Sequence, residues 1–452
     1  MTTDRDYRNN VVGTKLAGSR LARMSRALRH RNYRLFFAGQ SISLIGTWLT
    51  QVAASWLVYG LTKSAFLLGV ASFASQAPTF FLSPFVGVWV DRVDRHRVLV
   101  VTQALAMLQS SLLAYFALRG TLDVGHIIAL NAFQGLVSAI DIPTRQSFVV
   151  HMIEDRDDLP NALALNSSMV NATRLIGPTI AAVLIGLVGE GYCFLVDALS
   201  YIAVLASLLS MRLPPPVVGP KHARMLDELS DGFRYVKTFR PIRAILLLLT
   251  VASLVGTPYS VLMPVVAREV LGGGASTLGA LTASAGLGAL AGALYLAARP
   301  TVRGLLRVIP LATLIFGIGL IAASQSRWLA LTMPLMVLVG GAMMVQLASS
   351  NTILQTLVDE DKRGRVMAFY SMAVFGVAPF GSLAAGALAD RVGAGPTLLI
   401  GGGICCVAGL AFRQNLPNLR PYVRPIYERM GILPELARGV SEATSVSEPP
   451  PA

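Results

Sequence analysis

The stretch Ser43-Leu44-Ile45-Gly46-Thr47 returns 210 residues later as Ser253-Leu254-Val255-Gly256-Thr257, and at the same spacing Leu68-Gly69 matches Leu278-Gly279. Farther along the spacing becomes 204: Gly177 matches Gly381, Leu184 matches Leu388, and Val188-Gly189-x-Gly191 matches Val392-Gly393-x-Gly395. One such match is cheap, but their colinear order marks an internal repeat. Its setting is a chain of 452 residues that is 54% hydrophobic and only 14% charged, with a mean hydropathy of +0.60. Soluble domains carry roughly 25% charged residues, so soluble, secreted, disordered and fibrous classes are excluded. A spanning helix needs about 20 apolar residues; charged, Gly and Pro punctuation divides the chain into twelve such runs, the last over 395–413. The repeat spacing covers an even number of runs, so both halves share one membrane orientation. The expected fold is an all-α membrane protein of twelve transmembrane helices, arranged as two parallel-repeat six-helix bundles.

The expected order is a basic N-terminal segment (1–33), an N-terminal bundle (34–212), a linker with a surface helix (213–241), a C-terminal bundle (242–414) and a tail (415–452) ending in disorder. With the N-terminus inside, 32 of the 38 Lys and Arg fall in internal segments. Positive charge collects on the cytoplasmic side, which predicts cytoplasmic termini. Five more lie in outer loops, and Arg174 alone remains in the body of a span. Orientation thus accounts for the net charge of +14, with no nucleic-acid partner implied. Leu16, Leu21, Met24 and Leu28, set among Arg20, Arg23, Arg26 and Arg29, suit a helix lying on anionic lipid. In the linker, Leu226, Leu229, Phe233 and Val236 keep helical spacing. Cys193, Cys405 and Cys406 sit in apolar stretches and read as packing residues, with no metal-site spacing.

Between the second and third runs stands Gly87-Val-Trp-Val-Asp91-Arg92-Val-Asp94-Arg95-His96-Arg97. It resembles the Gly-x-x-x-Asp-Arg-x-Gly-Arg-Arg loop motif of the major facilitator superfamily. Leu28 through Gly39, the run from Pro143 through Gly177-Pro178 to Asp197, and Asp231-Gly-Phe-Arg-Tyr-Val236 resemble its drug and siderophore efflux branch, which includes the enterobactin exporter. The resemblance covers about 30–415 and implies a transporter whose repeats rock about a midplane site. It also implies a cytoplasmic latch: Gly87 admits a close helix neighbour, Asp91 meets the positive N-terminal end of the eleventh span near Gly364, and Arg95 and Arg97 hold the carboxylate. Asp94 replaces the motif's glycine. Gly386-x-x-x-Asp390-Arg391 imitates the motif, but on the outer side, and reads as coincidence.

Ionisable residues inside spans are costly and therefore functional candidates. They are Asp141, Arg174 and Asp197. Arg174 lies about thirteen residues into its run, about 20 Å, too deep to reach water readily, so it is expected to face a cavity or pair with Asp197 or Asp141. Either acid is a candidate proton carrier; a static ion pair is the competing reading. Polar stripes, Gln40, Thr47, Gln51 and Ser55 on the first run and Asn131, Gln134, Ser138 and Asp141 on the fourth, must face protein or water. Cavity lining and interhelical hydrogen bonding both satisfy that. Asn131-Ala-Phe-Gln134-Gly135 resembles the family's Arg-x-x-Gln-Gly proton-coupling motif without its arginine, and Gly177-Pro178 resembles the centre of its antiporter motif, a site of tight packing.

These readings predict a secondary active exporter, most simply a proton antiporter, for a small amphipathic or hydrophobic compound of the drug or siderophore class. No cofactor is expected beyond a proton gradient, and the partners are cargo, protons and the lipid bilayer, with a monomer in the plasma membrane, a bacterial inner membrane by the resemblance. The nucleotide-binding loop and the Gly-x-Ser-x-Gly and His-Glu-x-x-His motifs are absent, so an enzyme is not expected. Import, facilitated diffusion, lipid transport and a non-transporting receptor or scaffold stay open.

Overall fold

The computed structural model describes residues 26–90, 93–212, 233–299 and 301–430. Among them twelve helices are long and apolar enough to cross a membrane. The first six are α1 (Arg31–Thr62), α2 (Ala65–Val90), α3 (Arg95–Leu118), α4 (Val124–Val149), α5 (Leu159–Val188) and α6 (Glu190–Leu209). The second six are α7 (Arg240–Val270), α8 (Ala275–Ala297), α9 (Leu305–Gln325), α10 (Leu329–Leu357), α11 (Lys362–Val392) and α12 (Ala394–Arg429). Leu187, Phe375 and Val407 project almost unburied from the surface, as lipid-facing side chains do. The chain is a multi-pass membrane protein. The helix ends near residues 29 and 430 form a basic end; the α1–α2 and α11–α12 turns lie at the opposite, lean end.

The repeat is visible in the packing. In the first bundle α1 lies on α6 and α5, α2 on α4, and α3 on α6; in the second α7 lies on α12, α8 on α10, and α9 on α12. The repeated glycines do the same work in both. A Cβ on Gly46 would stand 2.5 Å from Asp197 Oδ1 and 2.9 Å from its Cα, whereas one on Gly256 would strike Phe316 and lie 3.0 Å from Cys405 Sγ. Each glycine therefore sets how closely the first helix of its bundle meets the last. Gly46→Ala is expected to push α1 off α6 at about 1–3 kcal/mol, read as a lower Tm of the purified protein. The bundles meet along two seams, α2 against α11 and α5 against α8.

One boundary differs from the sequence reading. The last span does not stop at 413: Phe412, Leu416, Leu419, Val423 and Tyr427, spaced by three and four, bury one face of the extended α12 against Ile242, Ile245 and Leu249. Apolar periodicity outweighs Pro417, Pro421 and Pro425, which lie inside the helix. Of the N-terminal segment, Arg26–Arg29 forms a short 3-10 turn docked on the start of α5, where Ala27 N donates to Asn161 Oδ1 (2.9 Å) and Arg26 pairs with Asp158 (3.8 Å). Residues 233–238 of the linker are helical; Leu226, Leu229 and the earlier N-terminal residues lie outside the described residues. In the second bundle α7 contains π-helical turns at Ala252–Gly256 and Val266–Val270, and α11 one at Met372–Gly376.

Candidate functional site

Asp197 stands two turns into α6 and is 1% exposed. Its Oδ2 accepts hydrogen bonds from Thr50 Oγ1 of α1 and Ser110 Oγ of α3, both 2.7 Å. Its Oδ1, beside Gly46, is buried and has no partner among the described residues. The equivalent corner of the second bundle, where α7, α9 and α12 meet, is filled by Gly256, Phe316 and Cys405. The corner thus packs without a charge, so the fold itself does not require Asp197.

Asp141 of α4 is also buried, but its bonds are fuller. Thr102 Oγ1 (2.9 Å) and Gln103 Nε2 (2.8 Å) of α3 donate to Oδ1, and Arg145, one turn along α4, reaches Oδ2 at 3.2 Å. This has the build of a structural ion pair tying α3 to α4. Asp141→Asn should leave Arg145 without its counter-charge and destabilise the fold by about 2–4 kcal/mol, measured by thermal unfolding.

Arg174 does not pair with either acid. Asp141 is held by Arg145, Asp197 by hydroxyls, and the guanidinium lies elsewhere: 6.0 Å over the Trp48 ring of α1 and within electrostatic reach of Tyr259 of α7. Its Nε is buried without a partner among the described residues. Gly177, one turn on, lets the Trp48 side chain lie against α5, which is the tight packing expected of Gly177-Pro178.

The polar stripes divide. Thr47 and Gln51 of α1 are exposed and Ser55 is half-buried, whereas Gln40 is buried. Asn131 donates to Ala71 O of α2 (3.4 Å), an interhelical bond, and Gln134 Nε2 meets Ser138 Oγ at 3.5 Å. At the basic end Asp91 lies outside the described residues, as do the surroundings of Gly87, which falls within α2. Arg97 is paired with Asp94 (3.2 Å), and Arg95 lies 3.0 Å from His151 Nε2. Asp94 also caps α3, accepting from His96 N (3.0 Å) and Arg97 N (3.3 Å). The residue that departs from the motif has become a helix cap.

The segment read as coincidence is a seam contact. Asp390, at the lean end of α11, accepts from Ala65 N (2.6 Å) and Ser64 Oγ (2.8 Å), placing its carboxylate on the positive N-terminus of α2. Gly386 lets α11 approach there, where a Cβ would stand 2.5 Å from Ala65 O. Beside it Tyr59 OH donates to Glu269 Oε1 (3.0 Å), and Arg268 stacks 4.3 Å from the Trp56 ring, both joining α1 to α7. A cavity of about 790 Å³ opens next to this cluster, lined by Tyr59, Lys63, Glu269, Gln325, Arg327 and Asp390. Gly186, the repeat equivalent of Asp390, meets nothing within 4 Å at a built Cβ, so the charged fastening belongs to one seam. Sequence reading missed Trp48, Thr50, Ser110, Arg145, Tyr59 and Glu269; Gly386-x-x-x-Asp390 was its available signal for the seam.

A family profile described as transmembrane secretion effector matches residues 23–423. The staphyloferrin A transporter of Staphylococcus aureus is 24% identical over 361 residues, covering 80% of this chain and 90% of that protein. The enterobactin exporter of Shigella boydii is 26% identical over 355 residues, 76% of this chain and 82% of that one. In fold, a bacterial homolog of the human lysosomal transporter Spinster superposes with a TM-score of 0.66 at 14% identity, covering 87% of this chain and 98% of its own.

Proposed function

Because the chain belongs to the transmembrane secretion effector family of the major facilitator superfamily, we propose that this transporter is a proton-coupled exporter of a small amphipathic or hydrophobic compound, of the drug or siderophore class. The observation that carries the reading is Asp197, a carboxylate buried in a corner that the repeat packs without charge, with one oxygen unbonded among the described residues. Intramembrane carboxyls of this kind act in proton relays, and Oδ1 is where a transferable proton would sit. No cofactor enters this scheme; the proton gradient supplies the energy.

Tyr59–Glu269, Trp56–Arg268 and Asp390 on α2 form the closed gate of an alternating-access cycle. With the basic end cytoplasmic, as the charge distribution predicts, this is the inward-facing state of a plasma-membrane protein, a bacterial inner membrane by its relatives. Ser167 and Ser168 on α5 and Thr352 and Gln355 on α10 are exposed polar residues in the basic half, which supports a water-filled approach from that side. The motif loop, with Gly87, Asp91 and Arg95, is the latch of the opposite state. All these parts lie in one chain, which supports a working monomer. The test is purified protein in liposomes with an imposed pH gradient and a panel of anionic, neutral and cationic fluorescent amphiphiles. Gradient-driven movement of at least one is expected. Flux indifferent to the gradient would make the protein a facilitator, and no flux of any probe would make it a receptor or scaffold.

A further inference from the structure

Deepening the exporter reading, we propose that the space between the bundles selects anionic amphipathic cargo, anchored by Arg174 beside the Trp48 ring. Both buried acids take their bonds from other residues. Asp141 has Arg145, Thr102 and Gln103, and Asp197 has two hydroxyl donors. Arg174 has no hydrogen bond and no ion pair among the described residues, and its Nε is shielded from solvent. A guanidinium offers five donors, and a cation held at the middle of a span without a counter-charge is costly.

Position says what could supply that counter-charge. Arg174 touches α1 through Trp48 and lies near α7 through Tyr259, the first helices of the two bundles. Its carbonyl is pressed on α8, where a Cβ on Gly286 would stand 3.0 Å away. The residue is therefore pinned at the junction of the bundles. Trp48 is itself seated by the missing side chain of Gly177. A planar, multidentate cation beside an aromatic ring suits a carboxylate or phenolate carried on an apolar or aromatic body.

Binding of three dyes that differ in charge tests this: dansylglycine (anionic), dansylamide (neutral) and dansylcadaverine (cationic), titrated by fluorescence against the full chain in lipid nanodiscs. The wild type is expected to bind the anion at least about tenfold more tightly than the amide, a difference of about 1.4 kcal/mol. Arg174→Gln should erase that preference without weakening the amide, and Arg174→Lys should retain most of it, which keeps the test decisive where the glutamine variant fails to fold. Trp48→Leu should weaken all three dyes alike while preserving the charge order. Equal affinities in the wild type, no binding of any dye, or an equal loss for all three dyes in Arg174→Gln would overturn the proposal. The readout needs no flux. Gradient-driven transport without anion preference would sink this inference and leave the exporter, whereas anion preference without gradient-driven transport would do the reverse.

Discussion

Replacing Asp197 with asparagine is expected to reduce gradient-driven flux to the level of empty liposomes while leaving exchange of cargo across the membrane intact. Asparagine keeps the shape and retains one carbonyl oxygen to accept from Thr50 and Ser110, the two donors at 2.7 Å, but it cannot carry a proton. A static packing role predicts the opposite pattern. The apolar corner of Gly256, Phe316 and Cys405 shows that a charge is dispensable for the architecture, so the variant should be at least as stable as the parent, since a buried charge has been removed. Two measurements separate the readings: flux against an imposed pH gradient, and counterflow at equal pH on both sides. Normal gradient-driven flux in Asp197→Asn would remove this residue from the coupling scheme and leave it a packing group.

Asp390→Asn is expected to loosen the lean-end gate. The carboxylate binds two donors on the N-terminus of α2, at 2.6 and 2.8 Å. Losing its charge removes one charge-assisted bond, worth roughly 1.5–3 kcal/mol where shielded, and an attraction to the helix end of about 0.3–1 kcal/mol. The site is exposed, so the net shift should be about 1–2 kcal/mol, on the order of tenfold in the ratio of closed to open gate. Leu61 on α1 and Val392 on α11 are exposed on either side of the seam and accept spin labels. Pulsed electron resonance distances between them should show the longer-distance population growing about tenfold in Asp390→Asn. Ser64→Ala, which leaves the Ala65 N–H bond, should move it less. An unchanged distance distribution would return Gly386-x-x-x-Asp390 to coincidence.

Much of the fold was legible because lipid makes it so. Every backbone polar group must be satisfied within its own segment, so span number follows from apolar length, and the glycine repeat showed that the halves are alike. The same logic located the three ionisable residues, Asp141, Arg174 and Asp197. It did not find their partners. Thr50 lies 147 residues from Asp197, and Ala65 lies 325 from Asp390, and nothing local in the sequence encodes such meetings. The tail shows the reverse failure: charge at Arg413 and the prolines beyond it mark the end of the apolar run, while Leu416, Leu419, Val423 and Tyr427 keep the helical period that docks α12.

The amino-acid sequence by itself determined twelve spans, a parallel repeat and the superfamily, because these depend on apolar length, local motifs and order along one chain. Only the tertiary structure decided that Arg174 meets the Trp48 ring in place of a carboxylate, that Asp141 is already paired, and that the motif-like segment of α11 fastens α2. The physical reason is common to all three. A charged side chain takes the partner that packing brings beside it, and packing is set by which helices the small residues allow to touch.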